Sequence, residues 1–100
     1  MPERTPASPY TKEKAQGIYR QAFKDRAVIL THHGRQRMRE RDVDANDLLA
    51  LTRVGIVFKP PEPDIKTGQW KYIIERHKPR LKVVFTIEEG MKVRILTVEN

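Results

Sequence analysis

The amino-acid sequence predicts an α+β domain in which N-terminal helices pack on one face of a C-terminal antiparallel sheet of three to four strands. Two segments within residues 9–54 have apolar side chains three and four positions apart, the period of an amphipathic helix. Residues 70–99 instead contain three segments rich in β-branched residues. The chain of 100 residues is long enough for one hydrophobic core, so we expect residues 1–8 to be a flexible leader and residues 9–100 to form a single domain.

The first predicted helix follows the leader. Ser8 is placed to cap it, with Pro9 in the first turn. Its apolar face repeats at helical spacing through Ala15, Ile18, Tyr19, Ala22 and Phe23. Residues 27–31 are short and β-branched, which favours a brief strand or an extended connector.

The helix with the clearest boundaries is predicted over residues 44–54. Asp44 is placed as its N-cap and Asp47 as the acidic member of a capping box. Val43 and Leu48 are spaced as a hydrophobic staple around that cap. Gly55 stands where the helix should end.

The second half of the chain predicts a meander of three strands, over residues 70–78, 81–89 and 92–99. Their connections are too short for a crossover helix, so neighbouring strands must be antiparallel. Residues 56–58 could open the sheet, whereas prolines in residues 60–63 predict a loop over 59–69. Alternation in the middle strand predicts one core face and one partly wet face, the latter offering Lys82 and Thr86 to a partner.

The composition points to an anionic partner. Lys and Arg number 20 against 13 Asp and Glu, giving a formal net charge of +7. Such a chain is attracted to nucleic acid, although acidic proteins and anionic membrane surfaces respond to the same field. The absence of cysteine excludes disulfides and thiolate zinc sites. With three irregularly spaced histidines and no long apolar run, we expect no metal or cofactor, no membrane insertion and a cytoplasmic location.

Residues 35–41 read RQRMRER, with arginine at every second position. A strand would place all four arginines on one face, and neither face could enter a core. A helix instead makes Met38 an apolar anchor and divides the basic side chains into two stripes. One stripe holds His33, Arg37 and Arg41, and the other holds Arg35 and Arg39.

A histidine beside two guanidinium groups suits the cleavage of RNA without a metal. That reaction needs a base for the 2′-hydroxyl, an acid for the leaving 5′-oxygen, and cations for the charge on the phosphorane. The fork of arginine can hold two phosphate oxygens at once. Arginine-rich surface helices are also common in proteins without this chemistry, and spacing alone leaves both interpretations open.

Residues 33–51, HGRQRMRERDVDANDLLAL, resemble the opening of the domain-of-unknown-function family numbered 4258. The family pattern is His, a small residue, two variable residues, Arg-Met, two variable residues, Arg, a short break and a capped helix. The segments WKYIIER, LKVVFTI and VRILTVE are similar to its three-strand meander, which has a threonine in the last strand. The resemblance covers residues 29–99, with Gly34 and Asp42 where the family tends to have alanine and glycine. Gly34 is expected to weaken the start of the helix.

The resemblance implies a RelE-like fold and an endoribonuclease activity. The family is grouped with RelE-like, MqsR-like and BrnT-like toxins in the barnase, EndoU, colicin and RelE class of metal-independent ribonucleases. Such proteins cleave RNA, often messenger RNA, under the control of an antitoxin, and the ribosome is a further possible partner. The resemblance places the family's helix histidine on His33, its two helix arginines on Arg37 and Arg41, and its last-strand threonine on Thr97. We infer that His33 is the acid or base, that Arg37 and Arg41 hold or stabilise the scissile phosphate, and that Thr97 donates a hydrogen bond or positions substrate.

Three residues of the meander are secondary candidates for RNA contacts: Tyr72, Arg80 and Lys82. Trp70 and Tyr72 share a strand face and could stack on bases, although core packing is the expected role of at least one of them. His32 is expected to be structural. Two alternatives remain, a non-catalytic nucleic-acid-binding module and an interaction protein whose basic face docks an acidic partner.

Overall fold

The computed structural model describes residues 8–100, so the predicted leader, apart from Ser8, lies outside the described residues. Helix α1 (Lys12–Lys24) is followed by strand β1 (Val28–Leu30) and helices α2 (His32–Glu40) and α3 (Ala45–Val54). Strands β2 (Glu62–Pro63), β3 (Trp70–His77), β4 (Arg80–Glu88) and β5 (Lys92–Glu99) complete the described chain. The predicted α+β architecture, with the helices N-terminal to the main strands, is confirmed.

The strands form a mixed sheet in the order β1-β5-β4-β3-β2. The predicted antiparallel meander of β3, β4 and β5 is present, but β1 adds a parallel strand beside β5. With β2 at the other edge, the sheet has five strands within residues 8–100, not the predicted three to four. The extra pairing joins Val28–Leu30 to a segment far along the chain, which local patterns do not reveal.

The prediction of a loop over residues 59–69 is partly wrong. Glu62 and Pro63 pair with Lys71 and Trp70 as strand β2. This strand lies at the edge of the sheet, where proline is tolerated since one side of the strand needs no donor. Residues 56–58 contribute only an isolated bridge between Ile56 and Glu75.

Helix α1 begins later than predicted. Thr11, not Ser8, is the N-cap, and its Oγ1 accepts a hydrogen bond from the Lys14 backbone N–H at 3.1 Å. Tyr10 precedes this cap, and its N–H donates to the Tyr72 hydroxyl at 3.0 Å. The predicted apolar face of α1 is confirmed by the buried side chains Ala15, Ile18, Tyr19 and Ala22.

Helix α3 begins with the predicted capping box. The Asp47 N–H donates to Asp44 Oδ1 at 3.0 Å, and the Asp44 N–H donates to Asp47 Oδ2 at 2.9 Å. Val43 and Leu48 are both buried, as a hydrophobic staple requires. Gly55 ends the helix, and a Cβ there would lie 2.7 Å from the Leu51 carbonyl oxygen.

The core lies between helices α1 and α3 and one face of the sheet. Tyr19 of α1 contacts the Phe85 ring at 5.3 Å between centroids, and its hydroxyl donates to the Leu48 carbonyl oxygen at 2.8 Å. Other fully buried side chains are Leu51, Ile74, Leu81, Val83, Val93, Ile95 and Val98. Among residues 8–100, no helix combines the length and apolar composition needed to cross a bilayer.

The opposite face of the sheet, which we call the open face, is only partly accessible. It carries Lys82 and Thr86 on β4, as predicted from alternation. Thr86 is only 1% exposed, however, so the prediction that it is available to a partner is wrong. Arg94 lies directly opposite Thr86 and forms an ion pair with Glu88, and these longer side chains stand on the same face.

Candidate nucleic-acid interface

Helix α2 begins at a junction of three segments. The Thr31 side chain caps it by accepting from the Gly34 N–H at 2.9 Å. The same hydroxyl donates to the Ile95 carbonyl oxygen of β5 at 2.8 Å, and the Thr31 N–H reaches that oxygen at 3.3 Å. One threonine therefore ends β1, starts α2 and binds both to β5.

Gly34 allows this junction to close. It is buried, and a Cβ there would lie 2.7 Å from the Ile95 carbonyl oxygen and 3.0 Å from Thr31 Oγ1. The expectation that Gly34 weakens the start of the helix misses this contact, which only a residue without a side chain permits.

Met38 is the apolar anchor of α2, as predicted. It is 8% exposed and belongs to the main core cluster. The helix ends in a Schellman arrangement, in which the Val43 N–H donates to the Met38 carbonyl oxygen at 2.8 Å. Asp42 has φ 55° at the turn, a left-handed conformation that aspartate adopts more readily than most residues. This geometry accounts for the chain reversal between α2 and α3.

The predicted alignment of His33 with Arg37 is present. Arg37 Nε donates to His33 Nε2 at 3.4 Å, and His33 is exposed. Arg37 also faces Glu40, with 3.5 Å between Nη1 and Oε1. Both contacts are long and open to water, so either can be exchanged for a ligand at small cost.

The second stripe, Arg35 and Arg39, is exposed. Neither side chain forms an ion pair with any carboxylate of residues 8–100. Helix α2 contains three arginines and one glutamate, so its surface carries an excess of positive charge. That surface can attract phosphate groups.

Arg41 does not continue the helix as the stripe predicted. It is the C-cap of α2 and is half-buried. Its backbone oxygen accepts from Asn100 Nδ2 at 2.8 Å, which fixes the end of α2 beside the end of β5. Arg41 Nε is buried and has no hydrogen-bond partner within the described chain.

Thr97 and Lys82 lie on the open face, on β5 and β4 respectively. Thr97 is half-buried and directly opposite Val84, and Lys82 is opposite Glu99 with 3.9 Å between Lys82 Nζ and Glu99 Oε1. Arg80 is exposed at the start of β4. Within residues 8–100, no hydrogen bond or ion pair joins these side chains to His33 or Arg37, so the structure does not bring the two groups of candidates into one cluster.

Tyr72 is the candidate that the structure contradicts. It is 2% exposed, and its ring stacks on Phe85 with centroids 5.6 Å apart. Burial raises the pKa of Tyr72 above its ordinary value of 10.0, opposed by the hydrogen bond from the Tyr10 N–H. A ring held in the core cannot stack on a base, so Tyr72 has the core role that was the alternative. Trp70 is half-buried and packs against the core cluster.

Sequence reasoning missed the Glu88–Arg94 ion pair and the burial of Thr86. Alternation places all three side chains on the open face, but their proximity depends on the register between β4 and β5. His77 contacts the Phe58 ring edge-on, with 5.4 Å between the ring centroids. In the part of the chain that the structure describes, no group of three His, Cys, Asp or Glu side chains is arranged to hold a metal ion.

Comparisons with protein-family models, with curated proteins and with solved structures give no match for this chain. The resemblance to the family numbered 4258 therefore stays a prediction.

Proposed function

We propose that this protein is a metal-independent endoribonuclease of the toxin type, with α2 as its RNA-binding element. The observation that supports this most directly is the contact between Arg37 Nε and His33 Nε2, on a solvent-exposed helix with unpaired arginines. His33 is the general base, Arg37 and Arg41 stabilise the phosphate, and Thr97 positions the substrate from the neighbouring strand. Arg35, Arg39, Arg80 and Lys82 attract the RNA backbone.

The contact between His33 and Arg37 suits an exchange in which Arg37 leaves His33 and binds a phosphate of the RNA. In the free protein, His33 Nε2 accepts a hydrogen bond from Arg37 Nε at 3.4 Å. When a phosphate arrives, Arg37 turns to its oxygens with a stronger, charge-assisted hydrogen bond. Nε2 is then released to take the proton of the adjacent 2′-hydroxyl.

The covalent step follows from these positions. The 2′-oxygen attacks phosphorus, the bond to the 5′-oxygen breaks, and the leaving oxygen takes a proton from water, whose hydroxide then takes back the proton held by His33. Arg37 and Arg41 offset the additional negative charge on the phosphorane. The products are a 2′,3′-cyclic phosphate and a free 5′-hydroxyl. In a toxin-type enzyme the substrate is messenger RNA in the cytoplasm, free or on the ribosome, and an antitoxin protein restrains the activity.

A non-catalytic nucleic-acid-binding module is the second candidate. It is favoured by the exposure of His33, which lies on an open surface, and by the occupation of Nε2 by Arg37. In this alternative the arginines bind phosphate and His33 only orients Arg37. The two functions predict different effects of replacing the histidine.

The test is cleavage of a long single-stranded RNA by purified protein in EDTA, with detection of 2′,3′-cyclic phosphate ends. We expect His33→Ala to lower the cleavage rate about 10²- to 10⁴-fold, the usual contribution of a general base, with RNA affinity nearly unchanged. His32→Ala is the matched control, because His32 is also exposed and precedes His33 in the same helix. Arg37→Ala should weaken both binding and cleavage.

Intact RNA with the parent protein, free and on ribosomes, would contradict the ribonuclease proposal. A salt-dependent mobility shift in the same lanes, lost in Arg37→Ala, would then support the binding module. Equal loss of cleavage in His32→Ala and His33→Ala would show that His33 is not the specific base.

A further inference from the structure

A groove separates α1 and α3 on the side of these helices that faces solvent. Its volume is about 510 Å³, and its lining residues are Arg20, Phe23, Lys24, Leu49, Thr52 and Arg53. Neither the RNA-binding surface on α2 nor the open face of the sheet contributes to this lining. The groove is therefore a separate surface that the proposed ribonuclease function does not use.

The floor of the groove is apolar and firmly held. Leu49 is 50% exposed, although it lies on a helix whose opposite face is in the core. The Phe23 ring packs on the buried Tyr19 ring with centroids 4.8 Å apart, so it cannot move further into the core. An aliphatic side chain entering from a partner would cover both residues and release water from them.

The rim of the groove is basic. Arg20 Nε donates to the Thr52 carbonyl oxygen at 2.8 Å, which holds this guanidinium across the gap between the two helices. The Thr52 hydroxyl donates to the Leu49 carbonyl oxygen at 2.7 Å. Arg20, Lys24 and Arg53 form no ion pair with a carboxylate in residues 8–100. The rim thus offers three positive charges around an apolar floor.

We propose that this groove docks an acidic amphipathic helix of a partner protein. Apolar side chains at helical spacing would cover Phe23 and Leu49, and flanking carboxylates would pair with Arg20, Lys24 and Arg53. A second copy of this chain is a poor occupant, because it carries a net charge of +7 and would oppose like charges. RNA is also disfavoured, because the most exposed floor residue is a leucine, which has no flat face on which a base can stack.

The experiment measures binding of a fluorescent synthetic helix by anisotropy, using the whole protein. The probe has about 20 residues, with leucine at helical spacing on one face and glutamate elsewhere. The comparison probe carries lysine at every glutamate position. We expect the glutamate probe to bind at least about tenfold more tightly than the lysine probe. In NMR spectra of the protein, it should shift the amide resonances of α1 and α3.

Two variants and two matched controls locate the site. Leu49→Glu and Arg53→Glu should each weaken binding of the glutamate probe about tenfold, since both add negative charge to the groove. Arg35→Glu makes the same charge change as Arg53→Glu but on α2, and should have little effect. Ile65→Glu places a charge on another exposed apolar residue, which is 97% exposed in the proline-rich segment. Circular dichroism melting would confirm that all four variants are folded.

Any of three results would overturn the docking proposal. One is no binding of the glutamate probe, and another is an equal loss of affinity in Arg35→Glu and Arg53→Glu, which would indicate unspecific attraction. The third is displacement of the probe from α1 and α3 by a single-stranded RNA, which would reassign the groove to nucleic acid. None depends on cleavage activity, so failure here is distinguishable from failure of the ribonuclease proposal.

Discussion

Helices α2 and α3 are similar in length, with 9 and 10 residues, but they are stabilised in different ways. Helix α3 has a complete capping box and two fully buried leucines, Leu48 and Leu51. Helix α2 buries only Gly34 and Met38, and its start depends on a carbonyl oxygen of β5. Folding therefore explains most of the sequence of α3, whereas it leaves the arginines of α2 unexplained. This contrast is the strongest reason to look for function on α2.

The largest effect on this contrast is expected from Gly34→Ala. The added Cβ would lie 2.7 Å from the Ile95 carbonyl oxygen, so α2 must move away from β5. We expect a loss of about 2 kcal/mol in the free energy of unfolding, typical of overpacking against a rigid neighbour. Urea denaturation would measure it.

Gly17→Ala is the control for that substitution, because Gly17 lies within α1 and a Cβ there has nothing within 4 Å. It should raise the unfolding free energy by about 0.5 to 1 kcal/mol through helix propensity. Equal effects of the two substitutions would show that α2 does not depend on its close approach to β5.

The two N-caps are expected to differ by a smaller amount. Asp44→Ala removes the acceptor for the Asp47 N–H and should cost about 1 kcal/mol. Thr31→Ala removes the cap of α2 and also the hydrogen bond to Ile95, so it should cost about 1 kcal/mol more. The measurement is again urea denaturation, and a smaller loss for Thr31→Ala than for Asp44→Ala would contradict the dependence of α2 on β5.

The smallest effect on stability is expected from Arg35→Ala and Arg39→Ala. Both side chains are exposed and unpaired within residues 8–100, so each change should stay within about 0.5 kcal/mol. Each should nevertheless weaken RNA binding and lower the slope of log affinity against log salt by about 1. Filter binding at several salt concentrations would measure this, with Arg76→Ala as the control, since Arg76 is occupied by the Pro79 carbonyl oxygen. An unchanged slope would remove these arginines from the interface.

The sequence predicted the features that depend on near neighbours. The capping box of α3, the anchor role of Met38 and the contact of His33 with Arg37 all follow from spacings of three to five residues. The prediction for Arg41 was wrong because α2 ends at Glu40. Arg41 is its C-cap, and the chain turns at Asp42.

The features that depend on distant neighbours were not predictable in the same way. The parallel pairing of β1 and the burial of Tyr72 arise from register and packing between segments far apart in the chain. For the candidate site, the consequence is specific. The stripe on α2 could be read from the sequence, but the positions of Thr97 and Lys82 relative to it required the sheet.

The hydrogen bond from Thr31 to Ile95 has a consequence for how the protein is made. During synthesis on the ribosome, α2 emerges long before β5, so its N-terminus has no strand on which to rest. Contacts between such distant segments also slow folding, because the intervening loop must close first. A nascent chain that has not reached Lys92 would carry the arginines of α2 without the support that holds them in place. The basic surface is therefore assembled late, when nearly all of the described domain has been translated.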